Sequence, residues 1–240
     1  MSYLDSNCRL NSAIKACCLA GAMDEAEALA GDLRAYNAMD LFTYHTLMMG
    51  HTKMGAYHKV MTLYEEAVES NTRLDGGVYS LAMLSGLNCG SYQSVKRIAD
   101  RAHSEQVLLT EASYTILVQA LAELKEPRAA LACLDSMLAE GLTPNGITYS
   151  AVMAAVKDQP ETVLLLLDRM SRENVTKNTV VMTTAINSLV RAGHPFVGKS
   201  ALHSYTRLRK LYLSSLMCFI YVCRYGPENP VRDGGARPRP

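Results

Sequence analysis

The chain has no Cys-x-x-Cys pair and no Cys/His cluster at zinc spacing, although it carries seven cysteines: Cys8, Cys17, Cys18, Cys89, Cys133, Cys218 and Cys223. Zinc-ribbon and dithiol chemistry are thereby excluded, and reduced, buried thiols acting as small hydrophobes are expected. Long apolar runs are missing too. The run LYLSSLMCFIYVC (211–223) is 13 residues, against the ~20 that a membrane-spanning helix needs. It reads as a buried or frayed helix rather than an anchor. No apolar signal-peptide core is visible near the start. No Ser/His/Asp or Cys/His arrangement stands out, and paired carboxylates such as Glu65-Glu66 read as a solvated helix face. These absences argue against an enzyme and against a cofactor or metal. Cations are scarce in the body: residues 1–190 hold 15 Lys/Arg and 21 Asp/Glu, whereas 191–240 hold 9 and 2. A strongly basic nucleic-acid-binding slab is excluded, since non-specific affinity scales with phosphates neutralised.

What is present is a period. Tyr44, Tyr79, Tyr114 and Tyr149 lie 35 residues apart, in the phrases TYHTLM, VYSLAM, SYTILV and TYSAVM. Leu10 and Met182 extend the beat in both directions. Gly21, Gly55, Gly90 and Gly193 each fall 11 residues after the Tyr place, with Lys125 and Pro160 in that slot otherwise. Three apolar columns keep the same clock: Ala26/Val60/Val95/Ala130/Val163, Leu29/Leu63/Ile98/Cys133/Leu166 and Leu33/Ala67/Ala102/Met137/Met170. Such registration means an array of one small structural unit.

Within a unit, YTILVQALAEL (114–124) puts apolar residues at three- and four-residue steps, which is one helical face. A breaker follows, then a second helical stretch such as PRAALACLDSMLAEG (127–141), with Pro suited to a first turn and Gly to a helix end. Strand-like alternation is absent. The predicted fold is all-α, an α-solenoid of stacked ~35-residue helix–turn–helix repeats, because one such pair cannot bury its own apolar faces. The predicted units are 7–40, 41–75, 76–110, 111–145, a shortened 146–178 and a degenerate 179–213, followed by a divergent basic, partly disordered tail over 214–240. In the fifth unit the two-residue deficit is expected to tighten the inter-helix turn around Lys157-Asp158-Gln159-Pro160. No polar cap precedes the first unit, so the sequence is expected to be an excerpt of a longer array or a truncated gene product. The methionines fall mainly at apolar helical positions and are expected in the core.

The phrases over 42–75 and 112–145 resemble pentatricopeptide repeats. They share the hydroxyl-Tyr pair before an apolar helix, the Gly turn, the second-helix columns and the closing G-L-x-P-N of 141–145. Tetratricopeptide repeats have a nearby period, but their signature Trp is missing: the chain has no Trp at all. The resemblance covers about 7–193. It implies a right-handed superhelix that binds single-stranded RNA, one base per repeat. It implies that the residue after the Tyr and the last residue of the repeat choose the base: Asn11 with Asp40, His45 with Asp75, Ser80 with Thr110, Thr115 with Asn145, and Ser150 with Asn178, Thr183 being left unpaired. It further implies that the second residue wedges between bases, which places Cys8, Phe42, Gly77, Ala112, Ile147 and Val180 in that role. Asn11/Asp40 resembles a uracil reader, and Thr115/Asn145 and Ser150/Asn178 resemble adenine readers. His45/Asp75 and Ser80/Thr110 depart from the usual pairs, and Gly77 offers no wedge.

Two local matches are discounted. Gly193–Ser200 fits G-x-x-x-x-G-K-[ST], but the residues before it read as a helix rather than the strand a phosphate loop requires. No nucleotide is therefore expected. His103-Ser104-Glu105 matches half of a zinc-deaminase signature, an activity some pentatricopeptide repeat proteins carry, yet P-C-x-x-C is nowhere in the chain. The expected function is thus a non-catalytic RNA-binding module in organellar RNA processing, stability or translation. Its expected partners are single-stranded RNA and other RNA-processing proteins, with no membrane. The alternative is a scaffold that holds a protein or peptide in its groove. Localisation by resemblance is the mitochondrion or chloroplast, although no transit peptide is legible; otherwise it is cytoplasmic.

Overall fold

A computed structural model describes residues 3–177 and 179–191. The chain divides into two units, Met1–Gly193 and His194–Pro240, and every described helix belongs to the first. In order the helices are α1 (Tyr3–Ala20), α2 (Met23–Ala35), α3 (Leu41–Lys53), α4 (Tyr57–Glu69), α5 (Gly76–Asn88), α6 (Tyr92–Ser104), α7 (Glu111–Glu123), α8 (Pro127–Ala139), α9 (Gly146–Ala155), α10 (Pro160–Arg172) and α11 (Thr179–Arg191). No strand occurs among the described residues. The predicted alternation of first and second helices is what forms.

Backbone chemistry explains the boundaries. Asp40, Asp75, Thr110 and Asn145 cap α3, α5, α7 and α9, each accepting from a backbone N–H in the first turn. First helices end at a left-handed residue, Gly21, Gly55, Gly90 or Lys125, with φ of 79°, 71°, 71° and 57°. The N–H of the following residue then reaches back five residues, as Ser91 N does to Gly86 O at 2.9 Å. Lys125 is the one non-glycine in that set. A Cβ in this conformation costs ~1 kcal/mol, so Lys125→Gly should raise the unfolding free energy by about that amount in a denaturant titration. A second left-handed column ends the second helices: Asn37, Asn71, Gln106, Gly141 and Asn174.

The fifth unit corrects one expectation. Its turn is not tightened; the deficit comes out of the helix. α9 has 10 residues where the other first helices from α3 to α7 have 13, and four residues rather than three link it to α10. No left-handed residue lies in that link. Pro160 is not a turn residue either, because it opens α10. Its ring disfavours a helical Gln159, so the break must fall earlier.

Burial follows the columns. Ala26, Val60, Val95, Ala130 and Val163 are completely inaccessible, as are Ala67, Ala102, Met137 and Met170. Each first helix packs on the next one (α1 on α3, α3 on α5, and onward to α11), while consecutive second helices barely touch. The first helices therefore form the tight inner layer, and the second helices splay outside it. Long charged side chains bridge the splayed layer: Arg34 to Glu66 at 2.8 Å, Lys96 to Glu126 at 2.6 Å and Arg169 to Asp135 at 2.8 Å. Cys18 and Cys133 are buried free thiols, and burial pushes the Cys133 thiol up to about 12.

Among the described residues, one ion-pair cluster has buried character, and it joins the first two pairs. His51, 1 % exposed, meets Glu27 at 2.7 Å, and Arg34 meets the same carboxylate at 3.2 Å. The bond from His51, helped by Arg34 and opposed by burial, holds the Glu27 carboxyl down at about 2. A depressed carboxyl contributes stability above its ordinary value near 4.5, and that contribution is lost as pH falls towards 2. Partial exposure limits it to about 2 kcal/mol. Urea titrations at pH 7, 4 and 3 should show wild type losing this increment, with Glu27→Gln giving a flatter profile.

Candidate nucleic-acid interface

Each column tyrosine is buried, and its hydroxyl ties the first helix to the end of the second. Tyr79 donates to Glu105 at 2.6 Å, Tyr114 to Glu140 at 2.5 Å and Tyr149 to Glu173 at 2.5 Å. These carboxylates stand 26, 26 and 24 residues after their tyrosines. In the second unit that phase holds Ser70, and the carboxylate that the Tyr44 hydroxyl meets is Glu66, at 3.3 Å. Burial first, and the carboxylate bond second, raise the Tyr79, Tyr114 and Tyr149 hydroxyls well above the ordinary range. They are structural donors. With the tyrosine pinned, the next residue lies about 100° further round α3, α5, α7 and α9, on the wall that the first helices form, where Ser80 and Thr115 reach the following first helix.

There the structure brings four of the five expected pairs near one another. Asn11 Nδ2 donates to Asp40 Oδ2 at 3.0 Å, although 29 residues separate them. His45 and Asp75 both crowd Gly77: a Cβ at Gly77 would lie 3.1 Å from His45 Nε2 and 3.3 Å from Asp75 Oδ1. Ser80 and Thr110 meet through the Ser113 hydroxyl, at 2.7 and 3.0 Å. Thr115 and Asn145 meet through Thr148, at 2.8 and 3.3 Å. Ser150 donates to Ile147 O and Thr183 to Thr179 O within their own helices. Asn178, the expected partner of Ser150, lies outside the described residues, as do Gly193–Ser200 and the tail. The stretch ahead of Gly193 is α11, a helix and not a strand.

Exposure differs along the wall. Asn11, His45, Ser80, Ser150 and Thr183 are half-buried, whereas Thr115 is 9 % exposed, more enclosed than a surface reader was expected to be. Phe42, Ile147 and Val180 stand out as exposed large apolar side chains at 45, 54 and 59 %. Lys15 Nζ sits 5.9 Å from the Phe42 ring centroid, a cation–π contact. Ile147, Val180 and Ser150 also line a groove of about 420 Å³ with Leu87, Tyr92 and Gln119.

The hydrogen bonds already made decide what remains for a ligand. Asn145 Oδ1 accepts from the N–H groups of Ile147 and Thr148 at 2.9 and 3.0 Å, so its NH₂ is left as the donor. The Thr115 hydroxyl donates to Glu111 O at 2.9 Å and keeps an acceptor lone pair. That pair offers donor plus acceptor, the complement of an adenine Watson–Crick edge. Asn11 keeps one N–H and a lone pair, and Asp40 is acceptor-only, which matches the carbonyl and N3–H of uracil.

The fold and this periodic wall define a helical-repeat protein. A family model described as a pentatricopeptide repeat-containing protein matches residues 96–207, and a PPR repeat model matches 10–39 and 42–72. The chain belongs to the pentatricopeptide repeat family. A pentatricopeptide repeat-containing protein of Arabidopsis thaliana is 23 % identical over 200 residues, 81 % of this chain and 35 % of the relative. The chain thus spans about a third of that relative's length. The crystal structure of the maize pentatricopeptide repeat protein PPR10 is 26 % identical, covering 84 % of this chain and 28 % of that one, with a TM-score of 0.50. The PPR domain of Arabidopsis thaliana protein-only RNase P 1, solved in complex with tRNA, shares the fold at 11 % identity and a TM-score of 0.54, over 85 % of this chain and 98 % of that one.

Proposed function

We propose that this chain is a non-catalytic module that holds single-stranded RNA along its inner wall, one base per repeat, in organellar RNA processing, stability or translation. The observation that carries the reading is the pairing of Asn11 with Asp40 and of Thr115 with Asn145 across neighbouring repeats. Each pair leaves unspent the donors and acceptors that fit one base edge. Exposed Phe42, Ile147 and Val180 provide apolar faces against which bases can stack, at ~1–3 kcal/mol each. The solved tRNA complex of a protein with this fold supports RNA as the class of ligand. With so few cations in the body, binding would draw on stacking and edge contacts more than on phosphate neutralisation.

One observation favours a second reading, a peptide-binding scaffold. The groove under Ile147 and Val180 is largely apolar, with Leu87, Tyr92, Ala151 and Ala154 along it. Filter binding to short A-rich and U-rich RNAs at two salt concentrations separates the readings. Sequence-dependent retention with a shallow salt slope supports the RNA module. Retention of none, or of all equally, supports the scaffold.

A further inference from the structure

Thr43, Ser113 and Thr148 occupy one phase of the repeat, the residue just before the column tyrosine, and all three are fully buried. Buried hydroxyls need partners, and each lies within hydrogen-bond reach of both members of a reading pair, with one proton to give. The Thr43 hydroxyl lies 2.6 Å from Asn11 Oδ1 and 2.8 Å from Asp40 Oδ1. Ser113 stands between Ser80 and Thr110, and Thr148 between Thr115 and Asn145. The same hydroxyl therefore touches the inner helix of one repeat and the cap of the next. At the remaining described pair the phase holds Val78, which has no hydroxyl, and there His45 rests against Gly77 instead.

We propose that Thr43, Ser113 and Thr148 are positioning residues of the base readers. By bonding one partner of a pair and lying against the other, they set which donor and acceptor atoms are left to meet a base. Val78 withdraws that constraint from His45 and Asp75, which makes the second reader the least selective. The proposal rests on the RNA-binding reading above. Valine is sterically acceptable at this phase, as Val78 shows, so a Thr-to-Val change removes the hydroxyl and keeps the packing.

The test uses the full chain and the variants Thr148→Val, Thr43→Val and Val78→Thr. Fluorescence anisotropy is measured with RNA oligonucleotides varied one base at a time. Thermal midpoints and side-chain amide NMR signals of Asn11 and Asn145 are recorded on the free protein. In Thr148→Val, discrimination at the base facing Thr115 and Asn145 should fall ~10-fold, the size of one hydrogen bond. The other positions and the midpoint should hold. Val78→Thr should raise discrimination several-fold at the base facing His45 and Asp75. The Asn145 amide signals should shift in Thr148→Val, and the Asn11 signals in Thr43→Val. Unmoved amide signals would overturn the proposal, as would a loss spread evenly over all positions or one that tracks a falling midpoint. A wild-type chain that binds no RNA overturns the RNA reading and the assignment of these hydroxyls to base readers. The amide shifts then report separately on whether the hydroxyls orient their neighbours.

Discussion

Gly50→Val should lower the unfolding free energy by about 3 kcal/mol, at the upper end of what overpacking costs. Gly50 lies on the face of α3 that meets α1 and α2. A Cβ there would stand 2.7 Å from Met23 Sδ, 3.0 Å from Cys18 Sγ and 3.1 Å from Cys18 Cβ. The methionine tip can swing aside. The Cys18 Cβ cannot, because it is fixed to the α1 backbone and is buried along with its thiol. Ala120 and Ala155 hold the same phase in later units, so Gly50→Ala should stay within ~1 kcal/mol, its helix propensity offsetting the crowding. Chemical denaturation of both variants checks the contrast; equal losses would show that the Cβ against Cys18, present in both, carries the cost and that the valine methyls add nothing.

Leu134→Ala should cost about 3 kcal/mol, from lost transfer energy and the cavity left behind. Leu134 is completely inaccessible in α8, and α8 packs on both α7 and α9. In a linear array each repeat leans only on its neighbours. The loss should therefore appear in hydrogen exchange as early opening of α7 to α9, with α1 to α4 retaining their protection. Uniform loss of protection across all described helices would contradict the array picture.

Much of this fold is legible in the sequence because identical packing problems recur at a fixed period. The Val60/Val95/Val163 column is buried for the same reason each time, and the tyrosine column announces the phase. The left-handed residues closing the second helices were harder to see, since Asn, Gln and Gly share a conformation there without sharing a side chain. The carboxylates bound by Tyr79, Tyr114 and Tyr149 recur with the repeat, but Ser70 interrupts them and acidic residues on helices usually read as solvated. The deficit in the fifth unit fell in α9 rather than in the turn because Pro160 forces an early break, a constraint that acts backwards along the chain. As for the wall, the period aligns the columns, and the resemblance to pentatricopeptide repeats is what implies which two of them pair. The buried hydroxyls between them follow from neither, because their role depends on a bond that crosses from one repeat to the next.

The central claim is that aligned side-chain pairs on the inner wall meet one base each. Asn145→Asp tests it most directly, by replacing the free NH₂ donor with an acceptor while keeping the cap that binds the Ile147 and Thr148 N–H groups. Equilibrium binding to oligonucleotides that differ at one base should show preference at that position leaving adenine, whose N1 accepts, for a base whose ring N–H donates, as in guanine or uracil. The change in relative affinity should be ~10-fold or more, with every other position unaltered. An unchanged base preference, with the variant folded and bound as tightly as before, would contradict it.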